Sequence, residues 1–106
     1  MKWSEAYIQM KDNKAFVRRQ TWGHKYFIWL KPSIDIREEW CKDPLLLEVI
    51  KTFGIIDANT NTRLIKAEDA ICLFNGYSVE TGMSLRPEDR VADDWEIVKL
   101  KPYKHE

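Results

Sequence analysis

Arg86-Pro87-Glu88-Asp89-Arg90-Val91-Ala92-Asp93-Asp94-Trp95-Glu96-Ile97-Val98 is the stretch on which the reading of this chain turns. Pro87 suits the first position of a helix, where its missing N–H is not needed. Glu88 and Asp89 follow at the helix pole that favours negative charge. The doubled aspartate then ends the turn, and from Trp95 to Leu100 apolar and polar residues alternate as in a half-buried strand. A helix running directly into a strand predicts an α+β domain.

Working outward, Trp3, Ala6, Tyr7 and Met10 fall at i, i+3, i+4, i+7, the stripe of a short N-terminal helix. Asp12-Asn13 is expected to stop it, with Asn13 suited to the left-handed conformation. Ala15 to Arg19 reads as a strand that sends Arg18 and Arg19 to opposite faces, and Trp22-Gly23-His24 as a turn. Tyr26 to Leu30 is apolar on both faces, so it is either a central strand or one half covered by another subunit. Ile34 to Arg37 reads as a short edge strand. Asp43-Pro44 is a strong helix start, and Leu46, Val49, Ile50 and Phe53 form the expected buried stripe before Gly54. Ile55-Ile56 with Leu64-Ile65 suggests one hairpin. Ile71 to Val79 suggests another, turning at Asn75-Gly76 in a tight type I′ turn. Lys101 to Glu106 reads as a frayed tail. The prediction is one domain spanning residues 1–106: compact α+β, a mainly antiparallel sheet with an N-terminal, a central and a short C-terminal helix.

Seventeen basic residues balance seventeen acidic ones, and this argues against long nucleic acid as a partner. A small ligand with one or two phosphates needs only a few local cations. Cys41 and Cys72 have no metal-ligand spacing and read as thiols of a reducing compartment. No charged-then-apolar leader or long apolar run is seen, so the expectation is a cytoplasmic protein without a membrane partner. Five tryptophans in 106 residues are hard to bury completely. One or two are expected to face a ligand or a partner subunit.

Catalytic signatures are weak. His24 and His105 are the only histidines, and His105 lies in the tail. The scattered glycines make no phosphate-cradling loop, and Asp89, Asp93 and Asp94 lack the oxygen-rich loop of a calcium site. The chain is therefore read as a binder, with no cofactor and no metal. What remains is a set suited to a nucleotide. Arg18 or Arg19 would grip a phosphate, Trp22 would stack on a base, and Asp94 would accept hydrogen bonds from a sugar or base edge. Trp95 would pack beneath the site or stack directly. Each has a plainer alternative: Arg packed on Trp is ordinary surface, Asp94 could pair with Arg86 or Arg90, and Asp89 could simply stabilise its helix.

The segments Trp3-Ser4-Glu5-Ala6, Lys14 to Trp22 and Asp89 to Glu96 together resemble the second type of Thoeris anti-defence protein, a family of small bacteriophage proteins. Its pattern is an F-x-E-A helix, a basic strand ending Arg-x-x-Trp, and a closing D-x-x-A-x-D-W. Trp3 replaces the phenylalanine here, while Arg19, Trp22, Asp89, Ala92, Asp94 and Trp95 match. Lys31 to Ser84 lies outside the resemblance, and its helix from Asp43 to Phe53 reads as an insertion. The resemblance implies a homo-oligomer, a tetramer assembled from dimers, with pockets near subunit interfaces. It also implies sequestration of a cyclic ADP-ribose-type or related cyclic nucleotide signal without cleavage, some relatives binding cyclic di- or trinucleotides at a separate site.

A sponge must compete at low signal concentration, and nanomolar affinity corresponds to about −12 kcal/mol. One stacked base contributes ~1–3 kcal/mol and a charged hydrogen bond ~1.5–3 kcal/mol. One Arg and one Trp fall short once association entropy is lost, so residues from two chains are expected. The competing readings are a protein-binding inhibitor of a host defence factor and a hydrolase of the signal.

Overall fold

The computed structural model describes residues 1–100, and the proposed tail with His105 lies outside them. The helices are α1 (Trp3–Asp12), α2 (Pro44–Phe53) and α3 (Pro87–Val91). The strands are β1 (Phe16–Arg19), β2 (Phe27–Lys31), β3 (Ile34–Arg37), β4 (Ile55–Asp57), β5 (Thr62–Ala67), β6 (Ala70–Phe74), β7 (Val79–Thr81) and β8 (Trp95–Val98). A 3-10 turn covers Glu38–Trp40. All paired strands are antiparallel, so the fold class is α+β as expected. Two compact units arise: Met1–Lys31 with the chain from Ala70 onward, and Pro32–Asp69.

The first unit is a five-stranded sheet in the order β7-β6-β2-β1-β8. β2 occupies the centre, which explains its apolar residues on both faces. On one face Val17, Ile28 and Leu73 pack with Ala6 and Met10 of α1, with Leu85 and with Trp95 to form the core. The other face gathers Phe16, Phe27, Trp29 and Phe74, whose neighbouring rings meet at centroid distances of 5.3–6.1 Å. α1 starts at Lys2, whose N–H donates to Glu5 Oε1. It ends as predicted, but Asn13 keeps a negative φ and closes the helix through its N–H to Gln9 O. The left-handed residue is Lys14, at φ 53°.

The β6–β7 hairpin turns one residue later than predicted. Phe74 pairs with Val79, so Gly76 and Tyr77 are the central pair and only Gly76 has positive φ, at 91°. A type I′ turn on Asn-Gly would need Asn75 left-handed as well. Instead, Asn75 Oδ1 accepts from the N–H groups of Tyr77 and Ser78 at 2.9 and 2.8 Å, fixing it at the first turn position.

The second unit is a three-stranded sheet, β3-β5-β4, with α2 against β5. Asp43 caps α2, its Oδ1 accepting from Leu45 and Leu46 N–H. The predicted stripe is rotated: Ile50 is buried with Leu46 and Leu47 half-buried, but Val49 and Phe53 are 42% and 78% exposed. Leu45 to Leu47 are all apolar, so periodicity alone could not choose between neighbouring faces. Gly54 ends α2 in extended backbone rather than a left-handed cap. A side chain there would strike Ile50 O and sit 2.9 Å from Leu64 O, so close approach, not φ, demands the glycine. β4 and β5 form the expected hairpin, and Ile34–Arg37 is the expected edge strand.

Candidate functional site

The site begins with the β1–β8 register. Arg19 stands opposite Trp95 and Arg18 opposite Glu96, so the two arginines leave the sheet on different faces. Arg18 is engaged by Glu96, Nε to Oε1 at 2.8 Å, away from the α1 face. Arg19 is held by two carboxylates. Its Nε and Nη2 donate to Asp94 Oδ1 and Oδ2 at 2.8 and 3.3 Å, and its Nη1 donates to Asp89 Oδ1 at 2.9 Å. A guanidinium carries two hydrogens on each terminal nitrogen, so one N–H on each is left over for another acceptor.

The contacts of Arg19 with Asp94 shift the titration of both groups in the direction expected of a charge-assisted pair. The hydrogen bond from Arg19 holds the Asp94 carboxyl below its ordinary value of 3.8, against a smaller opposing cost of desolvation. Donating to the carboxylates of Asp94 and then Asp89 raises Arg19 above its ordinary range. A carboxyl whose folded value is depressed stabilises the fold above its unfolded value, and that contribution disappears as pH falls through the folded value. Asp94→Asn is therefore expected to melt below wild type at pH 6, with the gap closing below about pH 4. Thermal melts of both proteins across that range check it, and a gap that stays constant would contradict the pairing.

Asp89 is the joint of the site. It is 7% exposed, in the first turn of α3. Its side chain fixes Arg19 while its carbonyl accepts from Trp95 Nε1 at 2.9 Å. Trp95 is 1% exposed, so it packs beneath the site and does not stack on a ligand directly. Trp22 sits on Trp95 edge to face, ring centroids 5.1 Å apart, and meets Tyr26 in the same way at 5.0 Å. Two consecutive turns place these rings: Trp22 N–H donates to Arg19 O, and Tyr26 N–H to Gly23 O.

A cavity of about 550 Å³ opens over this arrangement. That is within the range of small-molecule sites. Trp22, Tyr26 and Met83 give it an apolar wall; Arg19, Arg86, Glu80, Glu88, Asp89 and Ser84 give it polar groups. Of the residues singled out by sequence, Arg19 and Trp22 line it; Asp94 and Trp95 support it from behind, and Arg18 lies elsewhere. Asp94 pairs with Arg19 rather than with Arg86 or Arg90. Sequence reasoning missed Tyr26, Glu80, Met83, Ser84, Arg86 and Glu88. Arg86 and Glu88 flank Pro87 in the opening stretch and could have been named from it, whereas Glu80, Met83 and Ser84 reach the cavity only through the β6–β7 return. The lining contains no histidine or cysteine. Among the described residues no cluster of three His, Cys, Asp or Glu side chains could hold a metal ion. Nor is any described helix long and apolar enough to cross a membrane.

A search of curated proteins gives no match. The family model of the Thoeris anti-defense 2-like domain, Tad2-like, matches residues 1–98. That span includes the N-terminal helix, the Arg19–Trp22 turn, the middle unit and the Asp89–Trp95 close. The chain belongs to the Tad2-like family of Thoeris anti-defense 2-like domains.

Proposed function

We propose that this anti-defence domain works as a bacteriophage sponge: it binds a cyclic ADP-ribose-type or related cyclic nucleotide signal and holds it without cleaving it. The observation that carries the reading is the cavity that pairs the Trp22–Tyr26 wall with the clamped guanidinium of Arg19. Trp22 offers an aromatic face to a base. The remaining N–H groups of Arg19, with Arg86, meet phosphate oxygens, and Glu80 and Glu88 accept from ribose hydroxyls or a base amine. Asp94 acts through Arg19, keeping its fork aimed.

The lining carries two arginines against Glu80, Glu88 and Asp89, so one chain does not supply a cationic surplus. A tight hold on an anionic ligand therefore favours a homo-oligomer, a tetramer, in which a neighbouring copy adds cations. The protein would act in the cytoplasm of the infected cell, where the signal is made.

Mixing the protein with a cyclic ADP-ribose isomer, filtering, and then heat-denaturing the retained fraction tests this. The signal is expected to vanish from the filtrate and to return chemically intact on heating. A signal that stays in the filtrate would remove the sponge reading; recovery of a linear or hydrolysed product would replace it with an enzyme.

A further inference from the structure

Glu80 is the charged end of an apolar row. Cross-strand partners share a face of a sheet, and the registers run Glu80–Leu73, Leu73–Ile28, Ile28–Val17 and Val17–Ile97 across all five strands. Val17, Ile28 and Leu73 belong to the core. β7 is an edge strand, and its other two residues, Val79 and Thr81, alternate to the opposite face. Glu80 alone of β7 therefore turns toward the α1 face, where it lines the cavity beside Leu73. Among the described residues its carboxylate, unlike that of Asp89, is in no ion pair.

The same topology gives the cavity two unlike ends. β7 and β1 lie three strand spacings apart, about 14 Å at the usual ~4.8 Å per strand. Arg19, at the end of β1, brings N–H donors to one side of the cavity. Glu80 brings a carboxylate, which accepts and cannot donate, to the other. Between them lie the buried Leu73 and the wall of Trp22, Tyr26 and Met83. A nucleotide has the same order of parts: an anionic phosphate, a flat base with apolar faces, and a base edge that carries its amine. A ribose, with hydroxyls to hydrate, gains little from an apolar floor. The base lies there, and its edge meets Glu80.

We propose that Glu80 sets base specificity in this cavity: it accepts from the exocyclic amine of an adenine-type base whose phosphate is held at Arg19. The assignment rests on the nucleotide-binding reading above and narrows it to one acceptor and one donor. A base without that amine leaves the carboxylate unpaired against the apolar floor, and a site built for a hydrogen bond discriminates against the ligand that lacks it. A charge that served only to keep an edge strand from pairing would not tell the two ligands apart.

Calorimetric titration with a cyclic ADP-ribose isomer, and with its analogue carrying hydrogen in place of the adenine amine, tests this. Wild type is expected to hold the amine form roughly 10- to 150-fold more tightly, the range of one hydrogen bond to a charged group. Glu80→Ala is expected to bring the two affinities together by weakening the amine form. Glu88→Ala is expected to weaken both ligands alike and to keep their ratio. Glu80→Gln keeps the side-chain length without the charge; it is expected to give an intermediate ratio, and it decides the question if the alanine variant does not fold. Equal binding of the two ligands by wild type, or a ratio that the Glu80 substitutions leave unchanged, would overturn the assignment while the sponge reading stands. Binding of neither ligand would remove both.

Discussion

Replacing Trp95 by alanine is expected to leave the first unit largely unfolded at 25 °C. Trp95 is the largest of the fully buried side chains, and it contacts Trp3 at 4.9 Å and Trp22 at 5.1 Å between ring centroids. Truncating a buried tryptophan costs about 3–5 kcal/mol. The Asp89 carbonyl also loses its Nε1–H donor, and an unsatisfied buried acceptor adds about 1–3 kcal/mol. The sum approaches the whole stability of a small domain, roughly 5–15 kcal/mol. Trp95→Phe keeps an apolar ring but loses the donor and is expected to fold with a lowered midpoint. Urea denaturation followed by circular dichroism orders the three proteins. An alanine variant as stable as wild type would show that the indole does not organise this core.

The second large effect is on binding. Trp22→Ala is expected to fold but to weaken retention of the cyclic nucleotide by about 5- to 150-fold, the range that corresponds to one lost base stack of ~1–3 kcal/mol. Trp22 is only half-buried, its contacts with Tyr26 and Trp95 being edge to face, so its face is available to the cavity. Trp22→Phe keeps a smaller stacking surface and is expected to lie between. Calorimetric titration gives the affinity and a melt without ligand gives the fold. Unchanged affinity in a folded Trp22→Ala protein would move the ligand away from this cavity. The expected loss is smaller than the affinity required of a sponge, which agrees with a grip shared among several groups.

Much of the fold was legible because the signals are local. The Asp43-Pro44 pair caps α2 through hydrogen bonds spanning two and three residues, and Pro87 opens α3 in the same short-range way. The doubly apolar Tyr26–Leu30 stretch left two explanations open, and the central position of β2 accounts for it. Errors fell where local rules were degenerate. On α2 the run Leu45–Leu46–Leu47 fits more than one inward face, and packing on β5 left Val49 and Phe53 outside. At the second hairpin, the Asn75 side chain competed with the turn that its dipeptide favours.

By itself the sequence determined the helices, the strand periodicity, the opposite directions of Arg18 and Arg19, and an aromatic-and-charge set carried by two distant segments. Each of these follows from interactions within a few residues or from the two-residue repeat of a strand. Only the tertiary structure decided that Arg19 is clamped by Asp89 and Asp94, that Trp95 is buried while Trp22 borders the cavity, and that Glu80, Met83 and Arg86 share its wall. The Arg19 ion pairs span 70 and 75 residues, and the β1–β8 register brings their ends together. Registry between distant strands depends on how the whole core packs, and no short stretch of chain carries that information.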